Sequence, residues 1–158
     1  MEPQIDIDFR NLKIDHLCFI YKEAEKQVEV MESLFKMPKF NFSEAIDQSA
    51  IYRGRETKFS LKIGVSRCFG TTIELFQWLI GDCIYKEFVD AKKEGLHHIG
   101  CYVENLENYK SHFQNKELNV IQTGFFNFGK LEYMYMDTEN IFGTIIEFIE
   151  ISKRKRSK

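Results

Sequence analysis

The sequence is poor in residues that interrupt a fold: only 2 prolines and 1 tryptophan occur among 158 residues. So little proline excludes a long proline-rich linker. Four cysteines, Cys18, Cys68, Cys83 and Cys101, form no CxxC pair and no zinc-ribbon spacing. No stretch approaches the roughly 20 consecutive apolar residues of a membrane span. Residues 1–13 contain no apolar run of the kind that marks a secretory signal. These absences set the expectation of a cytoplasmic chain with reduced thiols and no membrane partner.

A surplus of positive charge is missing too. Lysine and arginine total 22 against 24 aspartates and glutamates, for a net charge of −2. Five of the basic residues sit in Lys153–Lys158, which leaves 17 against 24, or −7, for the rest of the chain. A body of that charge offers no basic face for nucleic acid. The tail, residues 152–158, reads as a solvated terminus. What the chain has in quantity is apolar material: 44% hydrophobic residues, with 15 Phe and 7 Tyr, enough to fill the core of one domain.

That material is arranged as a hidden repeat. Ile14-Asp15-His16-Leu17-Cys18-Phe19-Ile20 has the composition of a short strand, and Leu96-His97-His98-Ile99-Gly100-Cys101-Tyr102-Val103 repeats it, with His98 over His16. A helical spacing follows each run: Ala24, Val28, Met31 and Phe35 in the first half, and Leu106, Tyr109 and Phe113 in the second, with Asn105 placed to cap the latter. Strand-like segments come next, at 49–53 and 58–65 in the first half and at 119–124 and 131–136 in the second. The closing segments match again, Thr71-Thr72-Ile73-Glu74-Leu75-Phe76-Gln77 against Thr144-Ile145-Ile146-Glu147-Phe148-Ile149-Glu150, with Glu74 over Glu147. The reading is an α+β fold of paired βαβββ modules within one domain. Module one covers about 13–77, module two covers 96–151, and the connector 78–95 carries a short helix over 84–91.

Side chains alternate faces along a strand. Glu74 therefore shares a face with Thr72 and Phe76, and Glu147 with Ile145 and Ile149. His16 falls with Ile14 and Cys18, and His98 with Leu96 and Gly100. An ionised carboxylate on such an apolar face is costly unless a cation or a donor meets it. A single histidine in an apolar strand is most simply a structural residue. Recurrence of His and Glu at matched positions in both halves is harder to explain that way. If the halves pair about a pseudo-twofold axis, two imidazoles and two carboxylates converge on a divalent cation, with net charge near zero. Nitrogen and oxygen donors suit Zn, Ni, Co, Fe or Mn better than Ca or Mg.

At these residues the chain resembles the vicinal oxygen chelate superfamily, which includes glyoxalase I, methylmalonyl-CoA epimerase, extradiol dioxygenases and bleomycin-resistance proteins. The resemblance runs from about Lys13 to Ile151 and is carried by Ile14-Asp15-His16-Leu17, Thr72-Ile73-Glu74-Leu75, Gly95-Leu96-His97-His98-Ile99 and Gly143-Thr144-Ile145-Ile146-Glu147-Phe148. It implies a cupped sheet around a metal cleft, the metal ligands His16, Glu74, His98 and Glu147, and a homodimer. The segment Ile84-Tyr85-Lys86-Glu87-Phe88-Val89 with Glu94-Gly95-Leu96-His97-His98-Ile99 looks most like the epimerase branch. Two departures stand out: Glu74 where that branch commonly has Gln, and Ser60, Leu61 or Lys62 where it has a second catalytic carboxylate.

The chemistry so implied is removal of a proton next to a carbonyl by a metal-dependent isomerase or lyase. Glu147 is the first candidate base and Glu74 the second. Lys62, Tyr133 or Tyr135 are candidates for the opposite face, and 124–129, with three aromatics between glycines, for a lid or a dimer contact. The substrate expected is a small molecule such as an acyl-CoA. A glyoxalase I reading predicts a glutathione adduct instead, with Arg53, Arg55 and Arg67 as its candidate anchors. A non-catalytic drug-binding protein would need no metal tetrad, and an extradiol dioxygenase would be crowded by a fourth ligand at Glu74.

Overall fold

The structure, a computed structural model, describes residues 7–152; the basic residues Lys153–Lys158 lie outside the described residues. Module one contains β1 (His16–Ile20), α1 (Ala24–Phe35), β2 (Asn41–Tyr52), β3 (Arg55–Cys68) and β4 (Thr71–Ile80). The short connecting helix α2 spans Ile84–Asp90. Module two contains β5 (Gly95–Tyr102), α3 (Leu106–Gln114), β6 (Val120–Phe126), β7 (Leu131–Met136), the single turn α4 (Glu139–Phe142) and β8 (Ile145–Ile151). The chain therefore folds as paired βαβββ units, as the repeat predicts.

The eight strands form one curved sheet in the order β1-β4-β3-β2-β6-β7-β8-β5, closed by pairing of β5 with β1. Within each module the first and last strands run parallel, β1 with β4 and β5 with β8. The modules meet antiparallel through β1 and β5. On the far side they touch only through three rungs of β2 and β6, from Ala50↔Gly124 to Tyr52↔Gln122. The sheet is thus a cup, shut at that end and open where the first half of β2 diverges from the β6–β7 hairpin.

Helices cover the outside. On α1, Ala24 and Val28 pack with Phe40 onto Ile73 and Leu75 of β4. Phe35, read as part of that stripe, is 73% exposed, because the helix ends there and Lys36 turns left-handed. Tyr109 and Phe113 of α3 pack on Phe148, and Asn105 accepts the Asn108 N–H as the expected N-cap. The strands β2 and β3 are far longer than their apolar cores suggest. Residues 41–48 are mostly polar and half-exposed, and they become a strand by pairing with β3 alone.

Candidate metal centre

The register explains why four distant residues meet. Across the module junction His16 pairs with Gly100 and Cys18 pairs with His98, so the two histidines are exchanged about a local twofold axis. In module one Cys18 lies beside Glu74, and in module two Gly100 lies beside Glu147. Four adjacent strands, β4-β1-β5-β8, thereby bring His16, Glu74, His98 and Glu147 to one point inside the cup.

Ligating atoms of His16, Glu74 and His98 lie within 4.8 Å of one another. Glu147 Oε2 stands 2.8 Å from His16 Nε2 and 3.2 Å from His98 Nε2, and Glu74 Oε2 stands 3.7 Å from His16 Nε2. Gly100 makes room: a Cβ there would overlap the His16 ring.

His16, Glu74 and His98 form a cluster that could hold a divalent cation, with Glu147 set against both imidazoles. Both imidazole Nε2 atoms are buried and lack a hydrogen-bond partner among the described residues, despite their closeness to Glu147. Glu147 is close to both rings without giving either Nε2 a well-formed hydrogen bond. Sealed polar atoms of this kind are rare in proteins and call for an explanation.

Charges in the site push on one another. Burial alone would lower His16, but contact with Glu147, then the charges of Glu147, Glu74 and Asp15, outweigh it and raise its pKa to about 9. Burial raises Glu74 to about 7, with His16 opposing and Glu147 adding. Burial would raise Glu147 also, yet both histidines hold it well below the usual carboxylate range. Burial depresses His98, so that ring is a neutral donor of the kind metals take.

A cavity of about 450 Å³ opens above His16, Glu74 and Glu147, with His98 buried beneath them. His16, Glu74 and Glu147 form its floor, Ile63, Val65, Phe76 and Ile149 its walls, and Phe126, Asn127 and Phe128 its rim. The rim belongs to the glycine-flanked aromatic segment; Asn127 and Phe128 turn the hairpin with φ of 53° and 54°, and Phe126 stacks on Tyr133 at 4.8 Å.

Other candidates fall elsewhere. Lys62 points out of the cup toward Glu25 of α1, 3.4 Å away, so it does not serve the opposite face. Ser60 accepts the Asp47 N–H, and Leu61 is fully buried, so none of the three positions offers a base. Tyr135 shares a hydrogen bond of 2.7 Å with Tyr85, and Tyr133 receives one of 3.0 Å from Gln122. Cys18 is a core residue. None of Arg53, Arg55 and Arg67 lines the cavity; Arg53 binds Glu87, and Arg67 reaches Thr72. Sequence reasoning did not single out Gly100 or the partnership of His97 with His98. A glycine inside a strand beside a histidine pair was the available signal.

Comparison with solved structures places the fold. A hypothetical protein from Bacillus halodurans superposes with a TM-score of 0.69 at 17% identity, covering 93% of this chain and 99% of its own. Methylmalonyl-CoA epimerase from Mycobacterium tuberculosis gives 0.62 at 14%, covering 90% and 89%. A Streptomyces coelicolor methylmalonyl-CoA epimerase in complex with 2-nitronate-propionyl-CoA gives 0.64 at 13%, covering 89% and 94%. No protein-family model matches the chain, and no curated protein matches it by sequence. The chain has the vicinal oxygen chelate fold. No helix among the described residues is long and apolar enough to cross a membrane.

Proposed function

We propose that the chain is a metal-dependent enzyme that takes a proton from carbon next to a carbonyl, in the manner of an isomerase or lyase, with His16, Glu74, His98 and Glu147 as metal ligands. The observation that carries this reading is the pair of buried imidazole nitrogens of His16 and His98, without hydrogen-bond partners among the described residues, beside the carboxylates Glu74 and Glu147 that line a cavity with His16. A bound divalent ion supplies the positive charge that steadies the carbonyl oxygen as the proton leaves.

The protein's own part is to hold the substrate and receive the proton. Glu147 is pinned between two imidazoles, at 2.8 and 3.2 Å. Glu74 keeps one longer contact of 3.7 Å and a 23% exposed side chain. A general base must be free to reach the proton it takes. The geometry therefore favours Glu74 for that role over Glu147, the reverse of the order expected from sequence. The apolar walls exclude water from the reacting carbon.

Epimerisation needs a base on each face of the carbon, and positions 60–62 supply none on the far side. This supports a one-base reaction on an acyl-CoA or a related carbonyl compound; the epimerases of this fold include one in complex with methylmalonyl-CoA. Among the described residues no arginine lines the cavity, which speaks against a glutathione adduct. A cytoplasmic homodimer belongs to the same proposal.

The test is metal analysis of purified protein, then deuterium exchange from D2O into methylmalonyl-CoA and related acyl thioesters. Exchange that needs the metal and proceeds without epimerisation is the expected result. Protein that contains no stoichiometric divalent metal and catalyses no exchange points instead to a non-catalytic binding protein.

A further inference from the structure

Consecutive residues of a strand normally face opposite sides, yet His97 and His98 are both buried, at 4% and 0% exposure. The cause is a bulge. Along the β1–β5 junction Cys18 pairs with His98 and Phe19 with Leu96, so His97 is skipped. A bulge re-aims the side chain it carries. Here it brings His97 beside its neighbour, with Nδ1 of each ring 2.8 Å apart, and leaves Leu96, expected to share the His98 face, 43% exposed.

The rest of the His97 ring is held firmly. Phe88 of α2 meets it edge-on at 5.1 Å, and the hydroxyl of Thr144 donates to its backbone carbonyl at 3.0 Å. Its Nε2 bonds to no described residue, and the ring borders a second cavity of about 230 Å³ behind the site, lined by Glu87, Lys93 and Glu139 among others. That chamber is polar and large enough for water.

Two facing Nδ1 atoms at 2.8 Å share one proton, so one ring donates and the other accepts. A cation on His98 needs a bare Nε2, which puts the His98 proton on Nδ1. His97 Nδ1 must then accept, and the His97 proton moves to Nε2, where water in the rear chamber can receive its hydrogen bond. We propose that His97 is a positioning residue that holds His98 in the tautomer and orientation a metal ion requires. This rests on the metal reading above. Outer partners of ligating histidines typically contribute a factor of about 10–100 in metal affinity.

The experiment compares Co(II) binding by the full-length protein, His97→Phe and His97→Asn, followed by visible absorption and titration. Phenylalanine keeps the ring shape without an acceptor, whereas the asparagine oxygen can stand where Nδ1 stood. The expected result is about 10–100-fold weaker Co(II) binding with an altered spectrum in His97→Phe, and affinity within about threefold of the parent in His97→Asn. In parallel, nitrogen NMR of histidine-labelled protein is expected to show the proton shared between the two Nδ1 atoms without metal, and His97 protonated at Nε2 with Zn(II). Co(II) binding by His97→Phe equal to the parent, or a Zn(II)-loaded His97 protonated at Nδ1, overturns the proposal. A parent protein that takes up no Co(II), though the shared proton is seen, overturns the metal reading and this one with it.

Discussion

The two modules supply the same two residue types to the site, one His and one Glu each, but hold them differently. In module two, His98 and Glu147 are almost wholly buried, and His98 is braced from behind by His97 and by Tyr135, whose ring centre lies 4.9 Å away. In module one, His16 rests on a glycine and Glu74 faces the open cavity. The repeat therefore gives a fully enclosed pair from one half and a pair with a more exposed carboxylate from the other. Matched residues end in unlike surroundings because each half packs against different neighbours.

The largest expected effect tests that division directly. Glu74→Gln lowers deuterium exchange by about 10²–10⁴-fold while the protein still binds metal. Glu147→Gln loses metal before it loses anything else, because its partner imidazoles no longer face a charge. Turnover that survives Glu74→Gln but not Glu147→Gln, with metal bound in both, would reverse the assignment.

Next comes the seat of His16. Gly100→Ala forces that ring aside, and overpacking of this kind costs about 1–3 kcal/mol in urea unfolding. Co(II) affinity should fall in the same variant. An alanine that leaves both measurements unchanged would show that His16 does not rest where its register places it.

Proton competition should be visible at module one. In the metal-free protein the pKa of His16 is raised to about 9, above its ordinary value. The stabilisation this gives is complete below the ordinary value near 6.5 and is lost as pH rises through about 9. Metal must displace that proton, so metal affinity should climb with pH across the same window, by up to about tenfold per unit. Calorimetry in buffers of different ionisation heat would count the proton released. An affinity flat in pH would contradict it.

The smallest effect concerns Lys62. Its amine meets Glu25 on the outer surface, at 3.4 Å. Lys62→Met should change stability by no more than about 0.5–1 kcal/mol and leave exchange untouched. A marked drop in exchange would return lysine to the catalytic face.

Much of this was legible in the residues themselves. Apolar runs with matched His and Glu marked both modules, and helix α3 followed from Leu106, Tyr109, Phe113 and the cap at Asn105. The first half of β2 was not legible, because 41–48 carries polar residues and owes its extended form to a neighbouring strand. Leu96 was misassigned to the His98 face for a related reason: strict alternation assumes an unbroken ladder, and the bulge at His97 breaks it.

The repeat of strand and helix signals, the matched His and Glu at four positions and the lack of a carboxylate at 60–62 are properties of the chain alone, since periodicity and composition are local. Which atoms face one another is not local. The exchange of His16 and His98 across β1 and β5, the space above Gly100 and the brace of His97 arise from register between strands far apart in sequence, and only the closed sheet decides them.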